Sequence, residues 1–151
     1  MNQDTLKCRD FAERLISITE IVTKSSASKT LPALSIFELL RPSFAQVLGK
    51  LGFSAVLSRA LATANVNVVC LREVRVKPDG SLEGLGELEA KVDRKEIAEG
   101  QVVLLAEFFG LLVGLIGEQL VLQLVHQAMP KVSSDHLYFR EGNEHEKKYR
   151  G

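Results

Sequence analysis

The chain has 151 residues, of which 46% are hydrophobic and 25% are charged, which is typical of one globular domain and not of a disordered chain. Its 19 Lys and Arg residues balance its 19 Asp and Glu residues, so it lacks the basic excess with which nucleic-acid-binding proteins neutralise phosphates. Cys8 and Cys70 are too few for a disulfide framework and match no metal-binding spacing. The first residues lack the pattern of a secretory signal. We therefore expect an intracellular, cytoplasmic protein.

Two helical regions are predicted in the first third of the chain. An apolar stripe with alternating spacings of three and four residues predicts an amphipathic helix over residues 3–24. A capping box that begins at Ser35 predicts the start of a second helical region. Because a proline ring disfavours helix continuation, and a second box begins at Ser43, we expect two short helices with a bend at Arg41–Pro42. The stripe of the first helix consists of Cys8, Phe11, Leu15, Ile18 and Val22.

The middle of the chain predicts a third helix followed by a hairpin. The helix extends from Phe53 at least to Ala64, with apolar residues at helical spacing. Residues 66–71 fit a helix by their spacing, but they carry β-branched valines that favour a strand, so both interpretations stay open. A Pro-Asp-Gly turn signal at residues 78–80 predicts a small β-hairpin or extended loop near residues 72–88.

Residues 102–117 are the longest apolar stretch, and Glu107 is the only charged residue within it. Asp93 is a cap-like residue before this stretch, and Pro130 marks the end of the helical pattern. A helix that is apolar all round either lies at the centre of a bundle or spans a membrane. Because the stretch is shorter than the roughly 20 residues that a span needs, we predict a buried core helix over residues 101–128.

The expected fold is therefore a mainly α, single-domain helical bundle over residues 1–130. Four or five helices surround the buried central C-terminal helix, and the small hairpin or extended loop near residues 72–88 packs against them, because a lone hairpin is marginal in water. Residues 131–151 are polar and have no period, so we expect them to form a flexible C-terminal tail.

Small residues gather on one side of the central helix. Ala106, Gly110, Gly114 and Gly117 fall within about a third of the helical wheel, and we call these four residues the glycine face. Glycine inside a helix costs roughly 1 kcal/mol relative to alanine, so several together need a compensating use. We predict that a neighbouring helix packs closely here, either from the same chain or from a second copy.

Glu107 lies close to the glycine face and needs a structural explanation. An unpaired buried carboxylate is costly, so we expect Glu107 to be buried and paired with Arg59 or, failing that, with Arg41. Glu118 returns to nearly the same side of the helix, but about 16 Å further along its axis at helical rise. Because the two carboxylates are too far apart to act on one substrate atom, a structural ion pair is the favoured interpretation of Glu107.

The sequence contains no catalytic, cofactor-binding or metal-binding pattern. His126, His136 and His145 lack the spacing of a metal site. The glycines at residues 80–86 neither follow a buried parallel strand nor precede a Lys-Ser or Lys-Thr pair, so they do not predict a phosphate-binding loop. No enzyme class is indicated, and we expect no cofactor.

The leading functional hypothesis is a non-enzymatic regulatory or adaptor domain that acts through protein–protein association. We expect it to form a homodimer or another homo-oligomer, because its apolar helix surface exceeds what a monomer of this size needs to cover. The alternative is a small-ligand sensor or an enzyme with an interhelical pocket lined by Glu107. A third hypothesis is a membrane-associated protein. The sequence gives no support for a nucleic-acid partner. It favours a protein partner over a membrane.

Overall fold

The computed structural model describes residues 3–23 and 31–130, so the predicted tail at 131–151 lies outside the described residues. The protein is mainly helical, with a small two-stranded antiparallel sheet, which confirms the predicted helical bundle with a small hairpin. The five α-helices are α1 (Gln3–Thr23), α2 (Pro32–Leu48), α3 (Lys50–Asn67), α4 (Arg94–Ile116) and α5 (Glu118–Ala128). Between α3 and α4 come a 3-10 helix (Val69–Glu73), strands β1 (Arg75–Val76) and β2 (Leu82–Glu83), and a second 3-10 helix (Gly86–Ala90).

Helix α4 lies at the centre of the bundle, and α1 and α3 make the most extensive contacts with it. Phe108 and Phe109 of α4 are fully buried and join an aromatic cluster. The rings meet edge to face, an arrangement that adds about 0.5–1.5 kcal/mol per pair to the free energy of burial. Ring centroids lie 4.9 Å apart for Phe11–Phe109, 5.2 Å for Phe37–Phe108 and 5.6 Å for Phe53–Phe108.

Helix α2 is one helix, so the predicted pair of short helices with a bend at Pro42 is wrong. Pro42 lies inside α2 on its exposed side, where the chain loses one backbone hydrogen bond. Three apolar side chains before the proline and one after it are buried in the core. Their burial stabilises a continuous helix, and this gain outweighs the local signals for a helix end. These buried side chains are Ile36, Phe37, Leu40 and Phe44.

The first turn of α2 is capped from another helix. Its N-cap residue, Leu31, has no side-chain oxygen to offer to the first amides. The Oε1 atom of Gln101 in α4 accepts a hydrogen bond from the Ala33 backbone N–H at 2.9 Å, and both residues are buried. Gln101 therefore satisfies a backbone donor that would otherwise be buried without a partner.

The central C-terminal helix is divided at Gly117, so the predicted continuous helix over residues 101–128 is wrong at this point. Gly117 has φ 90°, a backbone conformation that side-chain-bearing residues rarely adopt, and it separates α4 from α5. The break allows α5 to turn and pack against α2 with Val121, Leu124 and Val125 buried. Asp93 caps the start of α4, because its Oδ1 atom accepts from the Glu96 backbone N–H at 2.9 Å.

The predicted hairpin near residues 72–88 is present but short. Val76 pairs with Leu82 across the two strands, and a tight turn at residues 78–80 joins them. The 66–71 stretch begins as the end of α3 and continues into the 3-10 helix, so it is not a strand. The Ser54 hydroxyl of α3 donates to the Pro78 carbonyl at 3.1 Å, which places the turn beside the first turns of α3.

Candidate functional site

The glycine face is open along its second half. Gly110, Gly114 and Gly117 are exposed, whereas Ala106 is buried. Within the described residues, a Cβ atom built at Gly114 or at Gly117 would meet no atom within 4 Å. A Cβ at Gly110 would lie 3.9 Å from the Cys8 Sγ atom of α1, which is ordinary van der Waals contact. No helix in the described part of the chain therefore uses Gly114 for close packing.

The exposed end of α4 also corrects the expectation that the apolar stretch over residues 102–117 is buried throughout. Leu115 is 62% exposed, although the residues one turn before it, Leu111 and Leu112, contact the core or lie within it. In the last turn of α4, Gly114 and Leu115 are exposed, whereas Val113 and Ile116 still pack partly against the core. An exposed leucine beside exposed glycines forms an apolar surface of low relief, which suits close approach by another helix.

Glu107 is half-buried at the edge of this open surface, one turn before Gly110 and two turns before Gly114. Among the residues that the structure describes, it has no ion-pair partner. Burial raises the pKa of its carboxyl group above the ordinary value of 4.5, because the charged form loses hydration without gaining a cation. Glu107 is therefore a carboxylate held at a cost to stability.

The two arginines that the sequence proposed as partners of Glu107 lie elsewhere. Arg41 forms an ion pair with Glu38 one turn earlier in α2, with the Nη2 and Oε1 atoms 2.7 Å apart. Arg59 is exposed on α3 and forms no ion pair within the described residues. Sequence spacing placed these cations on helices that pack near α4, but it could not show that both face away from Glu107.

Two ion pairs attach α1 to the helices on either side of Gly117. Arg9 binds Glu99 of α4 through two hydrogen bonds, at 2.9 and 2.6 Å, and this contact lowers the pKa of the Glu99 carboxyl group. Lys7 forms an ion pair with Glu118 of α5. Glu118 is therefore paired with α1, and the break at Gly117 separates it from the helix that carries Glu107.

Helix α3 presents a second exposed apolar surface that the sequence interpretation missed. Leu51 is 80% exposed and Val66 is 73% exposed, and Ala55 and Ala62 between them are exposed as well. At about 100° per residue, these four side chains lie within about 60° of each other on the wheel, and we call them the α3 stripe. The opposite side of α3 is buried through Phe53, Leu57, Ala60, Leu61 and Ala64. The regular spacing of small and apolar residues on both sides was the signal that could have revealed the stripe.

The described residues contain no cluster of three or more His, Cys, Asp or Glu side chains that could hold a metal ion. His126 has a buried Nε2 atom without a hydrogen-bond partner, but it belongs to no such cluster among the described residues. Cys70 is buried, and burial together with a nearby Glu96 carboxylate raises the pKa of its thiol, which is the opposite of what a nucleophile needs. His136 and His145 lie outside the described residues.

Comparison of the chain with protein-family models, with curated proteins and with solved structures found no match in any of the three. Helix α4 is long and apolar enough to cross a membrane by length and composition, yet 50% of its most apolar window is buried inside the fold. The core helix of a water-soluble bundle has the same property, so this observation is weak evidence for a span. Helices α2 and α3 meet the same criterion only as a pair bent by 120°.

Proposed function

We propose that this protein is a non-enzymatic regulatory or adaptor domain that acts by protein–protein association, and that its partner at the glycine face is a second copy of the chain. The observation that carries the proposal is the open half of that face, where Gly110 and Gly114 are exposed beside Leu115. Glycines within a helix reduce its stability, and close contact with another backbone is the usual compensation. The described residues supply no such contact at Gly114.

The position of Glu107 supports an association that depends on protonation or on a cation from the partner. A contact over the glycine face covers Glu107 further, which raises the cost of its charge unless the partner neutralises it. Two-fold symmetry brings equivalent surfaces together, so each copy places its own Glu107 near the contact. We expect the dimer to be favoured when the carboxyl group of Glu107 is protonated.

The test is the molar mass of the wild-type protein measured by light scattering over a range of concentrations and at two pH values. The proposal predicts a mass that rises from one chain towards two with concentration, and a stronger dimer at the lower pH. A mass of one chain at every concentration and pH contradicts self-association at this face.

The alternative function, a small-ligand sensor or an enzyme, is favoured by one observation, the half-buried and unpaired carboxylate of Glu107. Perturbed carboxyl groups occur at ligand sites as well as at structural positions. A screen of cationic metabolites by thermal shift separates the two functions. A ligand that raises the melting temperature of the wild type, but not of the Glu107→Gln variant, supports the sensor and not the adaptor.

A further inference from the structure

The α3 stripe is a surface of a different kind from the glycine face, because an arginine borders it and no acid lies on α3. The only charged residues of α3 are Lys50 and Arg59, and both are exposed. On the helical wheel, Arg59 lies along one border of the stripe, and Ser54, which holds the hairpin turn, lies along the other. The stripe therefore runs between a cationic border and the hairpin.

The segment after α3 continues this pattern. Val69 is 59% exposed, and Arg72 lies three residues later in the same 3-10 helix. Side chains three residues apart in a 3-10 helix share a face, so Val69 and Arg72 form an exposed apolar and basic pair directly after the C-terminal end of α3. Strand β1 packs against α3, and its Arg75 and the following Lys77 are both exposed.

Two of the nearby acids are engaged by other groups. Glu73 forms an ion pair with Lys91 at 2.8 Å, and Asp79 accepts hydrogen bonds from the Ser81 hydroxyl and backbone N–H. Glu83 faces Arg75 across the hairpin. Within the described residues, the cations on α3 and in the segment after it that form no ion pair are Lys50, Arg59, Arg72, Arg75 and Lys77, and Arg94 and Lys95 at the start of α4 form none either.

We propose that the α3 stripe, together with Arg59 and Arg72, forms a docking surface for an anionic lipid bilayer. A helix that lies in the plane of the interface, with exposed apolar side chains and only basic residues beside them, matches the apolar and anionic layers of such a membrane. Helix α3 is about 27 Å long at helical rise, so its two ends present Leu51 and Val66 to the same flat surface. This surface is separate from the glycine face, and the proposal goes beyond self-association.

A second copy of the chain fits the α3 stripe less well than a bilayer does. Two-fold pairing of α3 with its equivalent places Arg59, which lies near the middle of the helix, close to Arg59 of the other copy. Like charges at close range oppose association, and the described surface offers no free acid on α3 to relieve them. An anionic membrane attracts Arg59 and Arg72 at once.

The experiment is sedimentation of the full chain with vesicles of phosphatidylcholine and phosphatidylserine, compared with vesicles of phosphatidylcholine alone. The wild type is expected to bind the anionic vesicles, and added salt should release it as the charges are screened. An Arg59→Gln/Arg72→Gln variant should bind about 25-fold more weakly, since each cation near the surface contributes about fivefold. A Leu51→Ser/Val66→Ser variant should bind at least tenfold more weakly, because it removes the side chains that enter the interface.

A Gln119→Glu/Gln123→Glu variant is the matched control for charge. It changes the net charge by the same amount as the double arginine variant, at exposed positions of α5, and it should bind the vesicles like the wild type. The four positions substituted in the arginine and serine variants are all exposed, so both variants should keep the thermal stability of the wild type. The arginine variant tests the proposal even if the serine variant unfolds.

Several results overturn the proposal. Equal binding of the wild type to both kinds of vesicle would contradict a role for the cations. Unchanged binding of the serine variant would contradict a role for the exposed apolar side chains. Failure of the wild type to bind either vesicle, together with a dimer that the serine variant loses, assigns the α3 stripe to a second copy instead.

Discussion

At the scale of single residues, the structure explains Glu107 differently from the sequence. The sequence argument required an arginine partner because a buried carboxylate is costly. The structure keeps Glu107 half-buried and without a cation among the described residues, so the cost is reduced by partial hydration and not by an ion pair. The sequence identified the unusual residue, but the directions of Arg41 and Arg59 depend on tertiary packing and could not be predicted.

Replacing Glu107 by Gln should stabilise the fold at neutral pH by about 0.5 kcal/mol, a small effect because the side chain is still partly hydrated. The raised pKa means that the folded state holds the proton more tightly than the unfolded state. The wild type therefore gains relative stability as the pH falls, and loses it as the pH rises through the pKa of the folded state. Urea unfolding should show the variant as the more stable protein at pH 7 and no difference below about pH 4.

Glu99→Gln is the matched control with the opposite sign. The bond to Arg9 lowers the pKa of Glu99, so this carboxylate stabilises the fold at neutral pH and loses its contribution as the pH falls through its folded-state pKa. The variant should therefore be less stable than the wild type at pH 7. An identical pH response of the two variants would show that the environments of the two acids do not differ as described.

Gln101 makes a second prediction at the residue scale. Gln101→Leu removes the oxygen that accepts from the Ala33 N–H and leaves that donor buried, so it should destabilise the fold by about 1–2 kcal/mol. Gln123→Leu on the exposed side of α5 is the control and should change the stability by less than about 0.5 kcal/mol. Chemical denaturation measures both, and equal stabilities would contradict the capping role of Gln101.

At the scale of elements, local signals predicted the helices better than their boundaries. The Asp93 cap and the turn at residues 78–80 occur as expected, because both depend on residues close together in the chain. The sequence predicts a helix end at Pro42, but burial of the residues around it outweighs one lost hydrogen bond. The sequence predicts close packing at Gly117, but this residue ends α4, because its φ of 90° lets α5 turn towards α2.

Two glycines only three residues apart should therefore respond to alanine in opposite ways. Gly114→Ala should stabilise the monomer by up to about 1 kcal/mol, because the added methyl group meets nothing in the described residues and alanine favours a helix. Gly117→Ala should destabilise it by about 1 kcal/mol or more, because alanine is strained at a positive φ. Denaturant titration in dilute solution gives both values, and a stabilised Gly117→Ala variant would contradict the break between α4 and α5.

At the scale of the whole molecule, the sequence predicted what the core contains but not which surfaces the core leaves uncovered. The apolar pattern of residues 102–117 correctly indicated a central helix, since α4 contacts both α1 and α3. The exposed end of that helix and the exposed α3 stripe depend on how far the other helices reach, which is a property of packing and not of periodicity. The molecule consequently has two apolar surfaces, and we propose a separate partner for each.

Sedimentation equilibrium of the Gly114→Leu variant tests the central claim, self-association through the glycine face, most directly. The structure predicts that the variant folds at least as stably as the wild type, since no atom lies within 4 Å of the added Cβ position in the described part of the chain. Its dimer should be at least about fivefold weaker, because overpacking a close contact costs about 1–3 kcal/mol, whereas Gln119→Leu on α5 should dimerise like the wild type. A Gly114→Leu variant with the wild-type dimerisation constant would contradict the claim.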